Sequence, residues 1–273
     1  GRLRWPESVS RQLRVCVRCM IQAQAASGCS EQIMTLELFR EDAYRTECAA
    51  SVQRVCSSGV ELDQSVFYCQ GGGQPGDTGI LVCEDDRQVR VIDTRADGDS
   101  GAQLHILGDG ETPPETGQMI TARIDWERRH RMMRMHSCMH MLCALVDAPV
   151  TGGSIADGRG RLDFDLPEPL DKSKLTDQLN AMISQDHPMR LSWITDEELD
   201  QQPGLVKTMS VGPPRGVGRI RLVEFEGVDL QPCGGTHVAR SGEIGPVIIQ
   251  KIEKKGKQNR RVIVRFADPG EVV

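Results

Sequence analysis

The sequence predicts an α+β protein. A small β-barrel-like domain over residues 34–119 precedes an α+β domain over residues 120–273, in which one long helix lies over an antiparallel sheet. Two patterns carry this prediction. Across residues 62–124, short β-rich runs alternate with turns rich in glycine and aspartate, as in small barrels and sandwiches. From about Trp126 to Val146, Met132, His136, His140 and Cys143 recur at helical spacing along one stripe, and the natural place for such a helix is over a sheet.

The elements follow in order. Residues 1–33 hold five arginines and two glutamates without an apolar period and are read as an extension with no assigned function. Cys16-x-x-Cys19 lies there, but one pair without a second is a weak metal signal, and an arginine-rich, acid-poor start is also what a transit peptide looks like. Strand-like text begins at Met34-Thr35-Leu36-Glu37-Leu38-Phe39. The barrel's runs are Val66-Phe67-Tyr68, Ile80-Leu81-Val82, Val89-Arg90-Val91-Ile92 and Leu104-His105-Ile106-Leu107. The loop Gly108-Asp109-Gly110-Glu111-Thr112-Pro113-Pro114 leads out of them. After the long helix, further helices are expected at residues 175–183 and 196–200. Strands are expected at 218–225, 247–252 and 261–266, the last two joined by a basic turn. No internal repeat is present.

Composition narrows the class. Of 273 residues, 38% are hydrophobic and 26% charged, a globular balance with no apolar run near the ~20 residues a membrane helix needs. A formal charge of -6 argues against a protein that coats nucleic acid nonspecifically, while leaving room for a local basic face. Ten irregularly spaced cysteines, with no secretory leader read at the start, point to a reducing compartment, and the expectation is cytoplasmic.

His136-Ser137-Cys138-Met139-His140 puts two imidazoles four residues apart, on one face of a helix and within reach of one ion. Alone, the pair is equally compatible with packing on a methionine-rich face. Cys233-Gly234-Gly235-Thr236-His237 adds a thiolate and a third imidazole, with two glycines that allow a tight turn. Three nitrogens and one sulfur suit tetrahedral zinc. Ser137 stands where a metalloprotease helix would carry its glutamate base, so peptidase chemistry fits poorly. The run Gly71-Gly72-Gly73-Gln74-Pro75-Gly76-Asp77-Thr78-Gly79 lacks the Lys-Ser/Thr ending of a P-loop. It is either a tight hairpin or a loop whose bare backbone approaches a ligand, with Gln74 as a polar contact. Two basic clusters are solvated faces or contacts to a nucleic-acid backbone: Arg128, Arg129, Arg131 and Arg134, and Lys254, Lys255, Lys257, Arg260 and Arg261. The arginines are the better candidates, because positive charge at a helix N-terminus opposes its dipole.

Together, Phe67-Tyr68, the glycine run 71–79, His136-x-x-x-His140, Gly153-Ser154-Ile155, Arg161-Leu162-Asp163-Phe164 and Cys233-Gly234-Gly235-Thr236-His237 resemble the alanyl-tRNA editing family, free-standing relatives of the editing domain of alanyl-tRNA synthetase. The resemblance covers residues 34–266 and is closest to the medium-length form. The threonyl-tRNA synthetase editing domain shares the metal pattern but not the glycine loop. The resemblance implies one zinc ion per chain at His136, His140, Cys233 and His237, and substrate contacts from Gly72, Gly73, Asp77 and Arg161. It also implies a loop around Gln74 facing the aminoacyl pocket, with Gln74 contacting water or the amino acid and Thr236 supplying a supporting hydrogen bond as catalytic candidates. Arg128, Arg129, Arg131, Arg134, Lys255 and Lys257 would then meet tRNA. Cys69-Gln70 departs from the pattern, where a proline and a small polar residue are expected; this bears on the loop and not on the metal set.

The implied activity is hydrolysis of the ester in alanine tRNA wrongly charged with serine or glycine, by a monomer that uses no ATP. A synthetase pocket built for a small apolar side chain discriminates against one bearing a hydroxyl by only on the order of a hundredfold, so a second hydrolytic sieve is needed. No synthetase core is present, and Lys207-Thr208-Met209-Ser210 is only superficially like a synthetase signature. Four protein ligands would close a tetrahedral site, whereas catalytic zinc usually keeps a position open. Either a ligand is displaced, the ion becomes five-coordinate, or it positions substrate while another group orients water. The competing readings are a non-catalytic, zinc-stabilised RNA-binding module and editing of another mischarged tRNA, such as threonine tRNA carrying serine.

Overall fold

The computed structural model describes residues 34–207, 212 and 218–271. The extension over residues 1–33, with Cys16 and Cys19, and the Thr208-Met209-Ser210 run lie outside the described residues. Thr35–Val273 form one compact unit. Its first half contains β1 (Leu36–Glu37), β2 (Glu47–Cys56), β3 (Gly59–Leu62), β4 (Gln64–Ser65), β5 (Gly79–Cys83), β6 (Gln88–Ala96), β7 (Gln103–Leu107) and β8 (Met119–Ile124). Then follow α1 (Trp126–Val146), β9 (Val150–Ala156), β10 (Arg159–Asp165), α2 (Lys172–Ser184), β11 (Met189–Ile194) and α3 (Asp196–Asp200). The chain finishes with β12 (Ile220–Phe225), β13 (Asp229–Pro232), β14 (Val247–Lys254) and β15 (Asn259–Phe266).

Six strands close a barrel in the order β2-β3-β7-β6-β5-β8, and an α+β region follows it. Every other residue of a strand faces inward, so Cys48, Ala50 and Val52 of β2, Val89 and Val91 of β6, and Ile120, Ala122 and Ile124 of β8 meet in one core. β8 straddles the boundary drawn at residue 120, because its alternating apolar residues are needed to close the barrel. The ten-residue β2 is absent from the sequence reading; of its inward residues only Val52 is a strong β-former, and Cys48 and Ala50 give little strand signal. Conversely, Val66-Phe67-Tyr68 is not a strand. The Phe67 amide donates to Ser65 Oγ (3.1 Å) and the Tyr68 amide to Asp77 Oδ2 (2.7 Å), so this backbone is satisfied by side chains while its rings pack inward. The strand read from Met34 stops after β1, and residues 38–40 turn into a 3-10 helix.

In the α+β region, β14-β15-β10-β9 form a four-stranded antiparallel sheet and β11-β12-β13 a second, three-stranded one. The long helix matches its predicted span. Asp125 caps it by accepting the Arg128 amide (3.1 Å), and Asp147, in the left-handed region at φ 46°, ends it. Its burial is wider than one stripe: apart from Arg134, everything from Met132 to Cys143 is buried. The sheet packs on one side, where Gly160 leaves room for the sulfurs of Met135 and Met139, and α2 and the segment after β13 pack on others. A helix enclosed in this way can hold polar side chains only where each has a partner, and that is where the site lies.

The glycine run makes the connection between barrel and sheet. Gly71 and Gln74 exchange backbone hydrogen bonds (3.1 and 2.9 Å) across Gly72 and Gly73, both at positive φ (54° and 84°). This is a two-residue hairpin of the kind that demands left-handed residues at both tips. Gly73 carbonyl accepts from the Ile155 amide (2.8 Å), so the hairpin covers the free edge of β9.

Candidate metal centre

α1 carries His136 and His140 on one face, and β13 delivers Cys233, with His237 one short turn later. The four donor atoms lie within 4.8 Å of one another. Cys233 Sγ stands 3.5 Å from His136 Nε2 and 3.3 Å from His237 Nε2. A tetrahedral zinc with bonds of about 2.0–2.3 Å holds its donors roughly 3.3–3.6 Å apart, so the spacing fits such an ion.

Each imidazole is turned by a hydrogen bond on its other nitrogen. His136 Nδ1 donates to Gln74 Oε1 (2.8 Å), His140 Nδ1 to Asp229 Oδ2 (2.8 Å), and His237 Nδ1 to Ser137 Oγ (3.3 Å). A proton fixed on Nδ1 leaves the Nε2 lone pair for a metal. Burial alone would raise the Cys233 thiol, but the adjoining His136 and His237 rings reverse this and hold it well below the ordinary thiol range, towards the thiolate a metal requires.

Gln74 and Thr236 are therefore placed differently from the expectation that they face substrate. Both are buried. Gln74 Oε1 also accepts the Thr236 amide (3.2 Å), and its Nε2 donates to Thr236 Oγ1 (2.9 Å), which uses the side-chain amide on His136 and on the turn that carries His237. The two glycines of that turn are also unequal. A Cβ on Gly235 would stand 2.1 Å from His136 Cε1, whereas one on Gly234 meets nothing within 4 Å. Neither has a positive φ, so what Gly235 provides is close approach and not a tight turn.

Sequence reasoning missed Asp229, Gln231, Ser137 and Lys207. Asp229 is buried, with Oδ2 shared by His140 and Gln231 Nε2 (2.8 Å) and Oδ1 accepting Lys207 Nζ (2.9 Å). Burial would raise this carboxyl, but the His140 hydrogen bond and Lys207 lower it on balance, so it stays ionised. Its only sequence signal is a carboxylate four residues before Cys233. Asp229→Asn keeps the shape and removes the charge, and it is expected to weaken metal binding about 10- to 100-fold with an unchanged circular dichroism spectrum. Competition with a zinc-chelating dye measures this, and an unaltered affinity would remove Asp229 from the site.

The remaining candidates divide. Gly72 and Gly73 build the hairpin and its contact with β9. Asp77 is buried in an ion pair with Arg129, which is itself fully buried and also donates to the carbonyls of Ala43 (2.9 Å) and Val66 (2.6 Å). Arg129 and Asp77 thus spend their charges on each other in the interior of this structure. Arg128 donates to Gly76 carbonyl (2.8 Å), Arg131 grips Asp157 with two nitrogens (2.6 and 2.9 Å), and Arg134 donates to Ile244 carbonyl (2.9 Å) and covers the Phe266 ring at 4.2 Å. These partners explain why arginines are tolerated at the start of α1. Arg161 follows Gly160, which faces α1, so by strand alternation it points to the opposite face of the sheet, away from the metal donors. Lys255 and Lys257 are exposed, Lys255 pairing with Glu253 (3.0 Å), whereas Arg260 is buried against main-chain carbonyls and Arg261 grips Asp163 (2.7 and 2.8 Å).

Sequence matches place this barrel, metal-donor helix and Cys-x-x-x-His turn among the additional domains of class II tRNA synthetases and their relatives. Residues 220–263 match the family described as the threonyl and alanyl tRNA synthetase second additional domain, and residues 23–128 match class II (A) tRNA synthetases. The chain is 33% identical over 246 residues to the alanyl-tRNA editing protein AlaX-M of Methanosarcina acetivorans, covering 86% of this chain and 100% of that one. It is 34% identical over 233 residues to AlaX-M of Saccharolobus solfataricus, covering 84% and 98%. The alanine–tRNA ligase of Sulfurisphaera tokodaii is 33% identical over 229 residues, 81% of this chain but 25% of the ligase. The chain belongs to the AlaX-M family of alanyl-tRNA editing proteins.

Proposed function

We propose that this chain, acting in the cytoplasm as a monomer with one zinc ion, hydrolyses the ester of alanine tRNA mischarged with serine, and secondarily with glycine. The observation that carries the reading is the convergence of three Nε2 atoms on Cys233, each ring turned by its own buried partner. Membership in a family whose relatives are named for alanyl-tRNA editing supports the substrate class.

His136, His140, Cys233 and His237 would hold the ion. When bound, zinc supplies Lewis acidity for a carbonyl or for water. Gln74, Asp229 and Ser137 keep the imidazole tautomers fixed, and Gln74 and Thr236 lock the turn 233–237 to the glycine hairpin. The exposed Lys254, Lys255 and Lys257 at the β14–β15 turn are the stronger candidates for tRNA phosphate contacts, since the arginines of α1 have internal partners. Among the described residues no helix is long and apolar enough to cross a membrane.

Deacylation of alanine tRNA charged with serine, glycine or alanine, with and without a zinc chelator, tests the proposal. Chelator-sensitive loss of serine with alanine spared is the expected result. Serine left intact by folded, zinc-loaded protein overturns it. The closed set of four protein donors favours one alternative, a purely structural ion in an RNA-binding module. Under that alternative Cys233→Ala unfolds the domain, whereas a catalytic ion leaves a folded chain without turnover.

A further inference from the structure

Arg221, on β12, is 4% exposed. Its Nη1 donates to the carbonyls of Gly235 (2.6 Å) and Cys233 (3.2 Å), which sets the guanidinium directly behind the metal-binding turn. Its Nε and Nη2 are buried and have no hydrogen-bond partner, so a ligand that reaches them must displace the atoms that cover them. These two nitrogens form one edge of the guanidinium plane, the fork that takes two oxygens at once. Elsewhere in this chain the same edge is used for that purpose, by Arg131 on Asp157 and by Arg261 on Asp163.

No carboxylate is among the main groups acting on Arg221. Besides burial, these are Cys233, the cation of Arg40, and Tyr68, whose hydroxyl donates to Gly71 carbonyl (2.8 Å) in the glycine hairpin. Cys233 favours the cation, but its sulfur belongs to the metal donors; a buried cation with two idle donors and the Arg40 cation near it is still costly unless an anion completes it. At the end of an aminoacylated tRNA the ester is neutral and the α-amino group positive. The formal anion near the ester is the phosphodiester leading into the terminal nucleotide.

We propose that the Nε/Nη2 edge of Arg221 binds this last phosphodiester of the acceptor end, setting the distance between the tRNA backbone and the metal centre. The inference rests on the deacylase reading and deepens it. Arg221 is a positioning residue: it holds the strand one ribose away from the ester and touches no reacting atom.

The test alters the substrate before the protein. An acceptor-stem minihelix carrying serine through a non-hydrolysable 3′-amide is made with an ordinary phosphodiester or a neutral methylphosphonate at the last linkage, and its affinity for zinc-loaded protein is read by fluorescence anisotropy. The unsubstituted protein is expected to prefer the diester by about tenfold or more, as for a lost charge-assisted hydrogen bond, and Arg221→Lys and Arg221→Gln should shrink that ratio towards one. Equal affinity for both minihelices, or a ratio unchanged in both variants, overturns the proposal. Because the ligand is not turned over, failure to hydrolyse a seryl ester would sink the deacylase reading and leave this comparison intact.

Discussion

Gly235→Ala is expected to weaken metal binding severely while leaving the barrel folded. The added methyl would lie 2.1 and 2.3 Å from Cε1 and Nδ1 of His136 and 2.9 Å from Gln74 Oε1, so something must move. His136 cannot swing away without breaking its 2.8 Å bond to Gln74, and the turn cannot retreat without taking Cys233 and His237 with it. Either shift separates Nε2 of His136 from the sulfur. A loss of metal affinity of about 100-fold or more follows, with activity lost in parallel. Gly234→Ala is the internal control: open space surrounds its Cβ, and its effect should stay within about 0.5 kcal/mol. Chelator competition on both variants decides the matter, and equal metal affinities in the two would contradict the crowding argument.

The second large effect concerns stability. Arg129→Ala is expected to cost about 3–5 kcal/mol, because it strands the Asp77 carboxylate in the interior and frees the carbonyls of Ala43 and Val66. For a chain of this size the corresponding fall in Tm is roughly 6–20 °C. Asp77 also accepts the Tyr68 amide, so the same change loosens the base of the glycine hairpin and through it the support of His136. If Arg129 instead met the tRNA backbone, the variant would keep its stability and show a shallower salt dependence of tRNA binding. Thermal unfolding and a salt titration of binding separate the two.

The donor set was legible in the sequence because metal chemistry leaves local signatures. His136 and His140 are one helical turn apart, and Cys233 and His237 share one short segment. The glycine hairpin was legible as a turn because Gly72 and Gly73 tolerate what other residues do not. The charges were legible as charges and no further. Arg128, Arg129, Arg131 and Arg134 look alike in the sequence, yet one is entombed and three are tied to Gly76, Asp157 and Ile244. Whether a guanidinium faces solvent depends on which distant carboxylate or carbonyl the fold brings to it, and the chain's local pattern carries no record of that.

By itself, then, the sequence determined the long helix, the strand-rich first half and the identities of the four donors, since each follows from periodicity, turn chemistry or ligand type within a short stretch. Tertiary structure alone decided how those donors are aimed. Gln74 from the glycine hairpin, Ser137 from the helix and Asp229 from the second sheet each take one Nδ1, Gly235 clears the space for His136, and Arg221 is left with a buried, unpaired edge beside them. These relations span up to 162 residues of sequence, as between Gln74 and Thr236, and arise only when burial presses polar groups in a closed interior to find partners.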